Sequence, residues 1–154
     1  MERSSTDRIE KRIELMAPVS RIWRALTDHN EFGEWFKVKL EAPFVTGQAT
    51  RGRITYPGYE YLVMEVSVQK MEPKRLFSFH WHPGAVDANA DYSKEPPTLV
   101  EFKLEPVGNG TLLLITESGF DAIPAARRDG AFRMNNGGWT EQVKNIEAYL
   151  TNNP

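Results

Sequence analysis

The sequence predicts an α+β fold of the helix-grip type, in which a curved antiparallel sheet wraps around one long C-terminal helix. Over Asp121–Leu150, apolar side chains recur at helical spacing and share one face. Before this stretch, residues 37–119 alternate apolar and polar side chains in short runs separated by turn signals. A helix and a sheet that each have one apolar face are expected to bury those faces against each other. The predicted helix carries an apolar stripe of Ala125, Phe132, Trp139, Val143, Ile146 and Leu150.

The chain begins with a predicted strand and two short helices. Residues 9–15 alternate apolar and charged side chains, as expected for a half-buried strand. Pro18 stands where a helix begins, and Val19–Leu26 has the apolar spacing of an amphipathic helix. Thr27–Asn30 can cap a second short helix over the residues that follow.

Six antiparallel strands are predicted next. Pro57-Gly58 and Gly108-Asn109-Gly110 are strong turn signals between alternating runs, so hairpin follows hairpin. We expect these strands to form a closed sheet of about six or seven strands with the first one. The loop Pro83–Pro97 has no periodicity, and a loop of this length in a compact domain is usually functional or mobile.

Composition and charge exclude several classes of function. Hydrophobic residues make up 40% and charged residues 26% of the 154 residues, as in an ordinary globular domain. The net charge of −2, the pI of about 6.0 and the absence of a basic block argue against nucleic acid or an anionic membrane as a partner. The chain has no cysteine, which excludes disulfides, thiolate catalysis and cysteine metal sites.

Residues 1–154 are expected to form a single cytoplasmic domain. Residues 1–8 are polar and charged, without the apolar core of a signal peptide, and we expect them to be disordered. No apolar run approaches ~20 residues, so no membrane span is expected. The absence of cysteine fits a reducing compartment.

His80 and His82 are the histidines whose spacing could suit a metal. They lie two residues apart on a predicted strand, so their side chains point the same way. A third ligand would have to come from Glu101 or Glu117. The two histidines are expected on the strand face opposite Phe79 and Trp81. We therefore predict solvated histidines, with no metal and no cofactor.

Glu117 is a carboxylate that is expected to point at the long helix, because it continues the apolar face of Leu113 and Ile115. A buried carboxylate needs a partner, and Arg128 or Asn136 on the helix could supply one. One interpretation makes Glu117 a polar anchor or a general base in a pocket. The other makes it a structural link between strand and helix, or places it at an exposed rim.

A ligand cavity is predicted between the sheet and the helix. Arg128, Asn135 and Asn136 interrupt the apolar stripe, and such groups are costly in a solid core without partners. Gly137-Gly138 would allow a close approach or a kink of the helix backbone. The other interpretation is a filled aromatic core. The residues predicted to bind the ligand are Trp35, Tyr56, Phe79, Trp81, Phe102, Glu117, Phe132, Asn136, Trp139 and Val143.

Four segments resemble a known family of domains. Leu15–Thr27, reading LMAPVSRIWRALT, is similar to the strand-to-helix start of START-like (SRPBCC) domains. Thr116–Phe120 reads TESGF, Ile123–Arg128 reads IPAARR and Asn135–Trp139 reads NNGGW. These three resemble the branch of that superfamily named after the activator of heat-shock-protein ATPase. The resemblance covers nearly the whole chain, over residues 9–150.

This resemblance implies a helix-grip fold with a deep hydrophobic cavity, which binds small apolar ligands in many members. It also implies that Glu117 and the GGW motif at Gly137–Trp139 face that cavity. The expected function is the binding of a small hydrophobic or aromatic molecule. Two alternatives stay open. One is an enzyme of the cyclase or dehydratase type, as some START-like relatives are, with pocket carboxylates and histidines as general acids and bases. The other is a chaperone contact that regulates a chaperone ATPase, as the name of the branch implies.

Overall fold

A computed structural model describes residues 7–85 and 90–154. It confirms the predicted α+β helix-grip fold, with a seven-stranded antiparallel sheet, two short helices and a long C-terminal helix. In chain order the elements are β1 (Arg8–Leu15), α1 (Val19–Thr27), α2 (His29–Phe36), β2 (Val38–Leu40), β3 (Ala49–Ile54), β4 (Val63–Glu72), β5 (Leu76–Trp81), β6 (Thr98–Val107), β7 (Gly110–Ser118), a 3-10 turn (Phe120–Ala122) and α3 (Ala125–Asn152).

The sheet is open in the described part of the chain. Its strand order is β1-β7-β6-β5-β4-β3-β2, and every neighbouring pair is antiparallel. The number of strands agrees with the expectation, but the prediction of a closed sheet was wrong. The chain between β1 and β2 forms α1 and α2, and β2, which has three residues, pairs with β3 and not with β1.

The local signals for caps and turns are confirmed. The Asp28 carboxylate accepts the backbone N–H groups of Asn30 and Glu31 at 2.9 and 3.1 Å, and so caps the start of α2. Gly108-Asn109 forms the two-residue connection of the β6–β7 hairpin, with Val107 paired to Gly110.

The expected disorder of residues 1–8 was wrong for the last two of them. Asp7 is buried, and its carbonyl oxygen accepts the N–H groups of Gly119 and Phe120 at 3.1 and 3.2 Å. Arg8 begins β1 and pairs with Ser118. Residues 1–6 lie outside the described part of the chain.

The long helix begins four residues later than predicted, because the 3-10 turn and Pro124 precede it. Its buried stripe consists of Ala131, Trp139, Ile146 and Leu150. Gly137 and Gly138 are exposed, and a methyl group added at either would meet nothing within 4 Å. The expected close backbone approach at these glycines was therefore wrong. In the described ranges, no helix is both long enough and apolar enough to cross a membrane.

Candidate ligand-binding site

An open cleft of about 280 Å³ lies where α3 passes the β3–β4 hairpin and the chain that leaves β5. Its volume is near the lower end of the range for small-molecule sites, ~300–1,000 Å³. Apolar side chains dominate the lining, and a few polar groups stand among them. The described residues that line it are Phe36, Ile54, Leu62, Val63, Met64, Glu65, Trp81, His82, Pro83, Gly84, Ala85, Tyr92, Met134 and Asn135.

Directly behind this cleft lies the Glu117 carboxylate on β7, which is fully buried. Trp81 and Trp139 donate their indole N–H groups to opposite carboxylate oxygens, Oε2 and Oε1, each at 2.8 Å. The Thr98 hydroxyl donates to Oε2 at 2.5 Å. The Asn135 amide nitrogen donates to Oε1 and Oε2 at 2.9 and 3.0 Å. Four neutral donors therefore hold one carboxylate, and two of them, Trp81 and Asn135, also line the cleft.

The partners of Glu117 differ from those that the sequence suggested. The Arg128 guanidinium donates instead to the carbonyl oxygen of Ile123 at 3.1 Å, and Asn136 is exposed. Asn135 takes their place because it lies four residues before Trp139, about 40° away around a helix. That spacing was present in the sequence and could have identified Asn135 as the partner.

This geometry favours the interpretation of Glu117 as a structural link. Its hydrogen bonds tie β7 to Trp81 at the end of β5, to Thr98 at the start of β6 and to α3. Burying a carboxylate is costly unless donors replace water, and here donors reach both oxygens. Trp81 and Asn135 stand between the carboxylate and the cleft, so Glu117 acts on the cleft by positioning them.

The interior between sheet and helix is filled by aromatic rings. Trp35, Phe79, Phe102 and Trp139 are all buried. The Phe102 ring centroid lies 5.9 Å from that of Phe79 and 5.8 Å from that of Trp139, which are ordinary distances for packed rings. None of these four lines the cleft. They form the filled core of the second interpretation, and the cleft lies to one side of it.

Three other residues of the predicted set lie at the edge of this aromatic core or outside it. Tyr56 is 53% exposed, because β3 ends at Ile54 and residues 56–59 form a turn. Phe132 is partly buried and packs edge-on against Phe120 at 5.2 Å, and Val143 is also partly buried. Of the ten predicted residues, all of them described, only Trp81 lines the cleft.

The loop beside the cleft is fastened to α3 by Arg127. Its guanidinium donates to the Glu95 carboxylate, with contacts at 2.6 and 3.0 Å, and to the carbonyl oxygens of Pro83 and Gly84 at 2.9 and 3.2 Å. It also lies over the Tyr92 ring, 4.7 Å from the centroid. Gly84 has a φ of 63° and packs so closely on α3 that a Cβ there would lie 3.1 Å from a helix Cα atom. Both described ends of the predicted loop are thus held against the helix.

His82 lines the cleft instead of facing away from it. β5 ends at Trp81, so strand alternation no longer applies to the next residue. Its Nε2 lies 3.0 Å from the carbonyl oxygen of Glu95. Partial burial lowers the pKa of His80. The pKa of Asp91 is also lowered, chiefly by the hydrogen bonds from the Ser93 hydroxyl and N–H and in smaller part by the nearby His82.

Within the described ranges, no group of three or more histidine, aspartate or glutamate side chains is placed to hold a metal ion. The absence of a metal and of a cofactor stays a prediction, which metal analysis of the purified protein would test. Two histidines alone do not make a protein zinc site, which takes three or four protein ligands.

Residues 16–151 match the family described as Activator of Hsp90 ATPase homolog 1-like protein. The chain belongs to this family. The resemblance that the sequence motifs carried is thereby confirmed. No curated protein matches the chain.

Several solved structures share the fold of this Activator of Hsp90 ATPase homolog 1-like chain. Protein MLL2253 from Mesorhizobium loti is 23% identical, with a TM-score of 0.75 over 96% of this chain and 98% of that one. The Aha1 dimer from Colwellia psychrerythraea is 20% identical, with a TM-score of 0.67 over 91% and 92% of the two chains. DynU16, a protein in the dynemicin biosynthetic locus, is 23% identical with a TM-score of 0.73. The match covers 94% of this chain but 47% of DynU16, so the chain spans about half the length of that protein.

Three of the four segments that carried the family resemblance meet at the site just described. TESGF contains Glu117, NNGGW contains Asn135 and Trp139, and IPAARR contains Arg127. The first two motifs supply the Glu117 carboxylate and two of its four donors, and the third holds the loop that flanks the cleft. Three motifs within residues 116–139 of this family member thus place side chains at or beside the cleft.

Proposed function

We propose that this chain binds a small apolar molecule that contains an aromatic ring, in the cleft beside Glu117. The observation that carries the proposal is the lining of the cleft. Phe36 and Trp81 offer ring surfaces, and their centroids lie 5.9 Å apart. Val63 and Met134 also line the cleft and are 56% and 47% exposed. Large apolar side chains left open to water around a concave site are typical of a ligand-binding groove.

Rigid surroundings support the same proposal. Trp81 and Asn135 are oriented by the Glu117 carboxylate, and Arg127 fastens the flanking loop to the helix. Walls that are ordered before binding lose less conformational entropy when a ligand enters, which favours affinity. The place of the structurally similar DynU16 in a biosynthetic locus is compatible with a small-molecule ligand for this fold.

The test is a titration with N-phenyl-1-naphthylamine, a neutral apolar dye whose fluorescence rises when it leaves water. Met134→Lys places a charge at the rim of the cleft, and we expect it to weaken the dye about tenfold or more, because a buried apolar contact is lost and a cation must be desolvated. Met16→Lys is the matched control. Met16 is 83% exposed and lies beside the C-terminal turns of α3, away from the cleft. Equal affinities of the two variants, or a loss confined to Met16→Lys, would show that the cleft is not the binding site.

The other expectations from the family stay predictions. Contact with a chaperone ATPase and catalysis of the cyclase or dehydratase type rest on the family resemblance, and no specific contact among the described residues favours either. The cytoplasmic location also stays a prediction, which fractionation of cells would test.

A further inference from the structure

We infer that the ligand of this cleft carries a hydrogen-bond donor, such as a phenolic or alcoholic hydroxyl, on its apolar body, and that carboxylates are disfavoured. This inference rests on the proposed function, because it names the class of molecule that the same cleft takes. The polar side chains that line the cleft among the described residues are those of Glu65, His82, Tyr92 and Asn135. Their chemistry can be assigned from their partners.

Asn135 offers an acceptor to the cleft. Its amide nitrogen donates hydrogen bonds to both carboxylate oxygens of Glu117, at 2.9 and 3.0 Å. Each of these oxygens also accepts an indole N–H, a group that only donates. Both oxygens of Glu117 therefore act as hydrogen-bond acceptors, and the group of Asn135 that faces them must be a donor. The amide is thereby fixed with its nitrogen toward Glu117 and its Oδ1 turned away from it. Among the described residues, Oδ1 has no hydrogen-bond partner.

His82 offers a second acceptor. Its Nε2 lies 3.0 Å from the carbonyl oxygen of Glu95, and a carbonyl oxygen only accepts. Nε2 must therefore carry the proton. In the neutral imidazole the other nitrogen, Nδ1, is then an acceptor. Arg127 holds the Glu95 carboxylate, so the residue that sets this tautomer is itself fixed.

The charges around the cleft oppose an anion. No described residue that lines it is a lysine or an arginine. The neighbouring cation, Arg127, is already paired with Glu95 in contacts of 2.6 to 3.1 Å. Glu65 lines the cleft and Glu117 lies behind it, so each of these two carboxylates repels a ligand of the same sign. Tyr92 can both donate and accept, so it does not discriminate between ligands.

Three ligands with one ring system test the inference on the unaltered protein. 2-Naphthol has a donor, 2-methoxynaphthalene has the same oxygen without a donor, and 2-naphthoate has an anion. By isothermal titration calorimetry at neutral pH, we expect 2-naphthol to bind about two- to tenfold more tightly than 2-methoxynaphthalene, as one added hydrogen bond predicts. We expect 2-naphthoate to bind at least about tenfold more weakly than 2-naphthol.

The outcomes separate this inference from the proposed function. If 2-methoxynaphthalene or 2-naphthoate binds as tightly as 2-naphthol, the cleft binds apolar rings but does not select donors, and the inference is overturned alone. If none of the three ligands binds, the proposed function fails and the inference fails with it. Tight binding of 2-naphthol above the other two supports both.

Two variants then identify the acceptor. His82→Leu and Asn135→Leu each remove one acceptor from the cleft, and at least one of them should reduce the preference for 2-naphthol over 2-methoxynaphthalene to about onefold. The comparison is made between two ligands on the same variant, so a general loss of affinity cancels. If the preference is intact in both variants, the acceptors are not His82 and Asn135, and the assignment is overturned. Retained near-ultraviolet circular dichroism shows that a variant is folded.

Discussion

Replacing Glu117 with glutamine tests whether a carboxylate is needed to join the sheet to α3. The amide puts an NH₂ group where one oxygen stood, and either orientation sets it against an indole N–H. Placed at the Oε1 position it faces the buried Trp139, and at Oε2 it faces Trp81 but can donate to the Thr98 oxygen. The second orientation costs less free energy, because the NH₂ group keeps one hydrogen-bond partner. It leaves one indole N–H unpaired, at about 1–3 kcal/mol, and roughly halves the strength of the bonds that were charge-assisted. We expect Glu117→Gln to lower the free energy of unfolding by about 2–4 kcal/mol.

Urea denaturation measures this loss, with the m value checked for constancy. Glu105→Gln is the matched control, because Glu105 is exposed on β6 and should change the free energy of unfolding by no more than about 0.5 kcal/mol. A loss below about 1 kcal/mol in Glu117→Gln, at unchanged m, would refute the reasoning. It would mean that a neutral acceptor serves the two indoles equally well.

Three further predictions concern the helix, the loop and the acid stability. Gly137→Ala and Gly138→Ala should each stabilise the protein by up to about 1 kcal/mol in thermal denaturation, because both are exposed helix residues with room for a methyl group; a loss of stability would show that the helix needs them. Arg127→Ala should raise hydrogen exchange in peptides that contain residues 83–85 and 92–95 about tenfold or more, and unchanged protection would show that the loop is held otherwise. Burial raises the pKa of Glu31, but the hydrogen bond from Tyr149 and the neighbouring guanidinium groups outweigh it and lower that pKa below 4.5. Glu31→Gln should therefore be destabilising at neutral pH, and its difference from the unaltered protein should shrink as the pH falls below about 4.5; a difference independent of pH would contradict this.

The fold could be predicted because it depends on patterns that repeat over many residues. The apolar stripe of α3 is long, so Trp139, Ile146 and Leu150 were placed in the interior although the start of the helix was four residues wrong. The β6–β7 hairpin was equally well defined, because Gly108-Asn109 suits a two-residue turn between two alternating strands. Neither result depends on the exact end of an element.

The details of the site depend on those ends, which periodicity does not fix. Tyr56 was expected in the cavity, but β3 ends at Ile54, and Tyr56 lies in the turn that follows. Strand alternation was also extended past Trp81 to His82, which therefore lies elsewhere than expected. The choice of Asn136 over Asn135 was an error of one helical position, about 100°. Glu117 was correctly expected to point at the helix. That its donors would be two indoles, an amide and a hydroxyl, with no cation, was not foreseen, because all four come from elements other than β7, and two of them, Trp81 and Thr98, come from other strands.

The measurement that tests the central claim most directly is an NMR titration of ¹⁵N-labelled protein with 2-naphthol, read at the indole N–H signals of the four tryptophans. Trp81 lines the cleft, whereas Trp35 is buried and donates its indole N–H to the Ala25 carbonyl oxygen at 2.8 Å. The account predicts a saturable shift of the Trp81 signal while the Trp35 signal stays in place. A saturable shift of Trp35 without Trp81 would place the ligand in the aromatic core, and no saturable shift of Trp81 would contradict binding in the cleft.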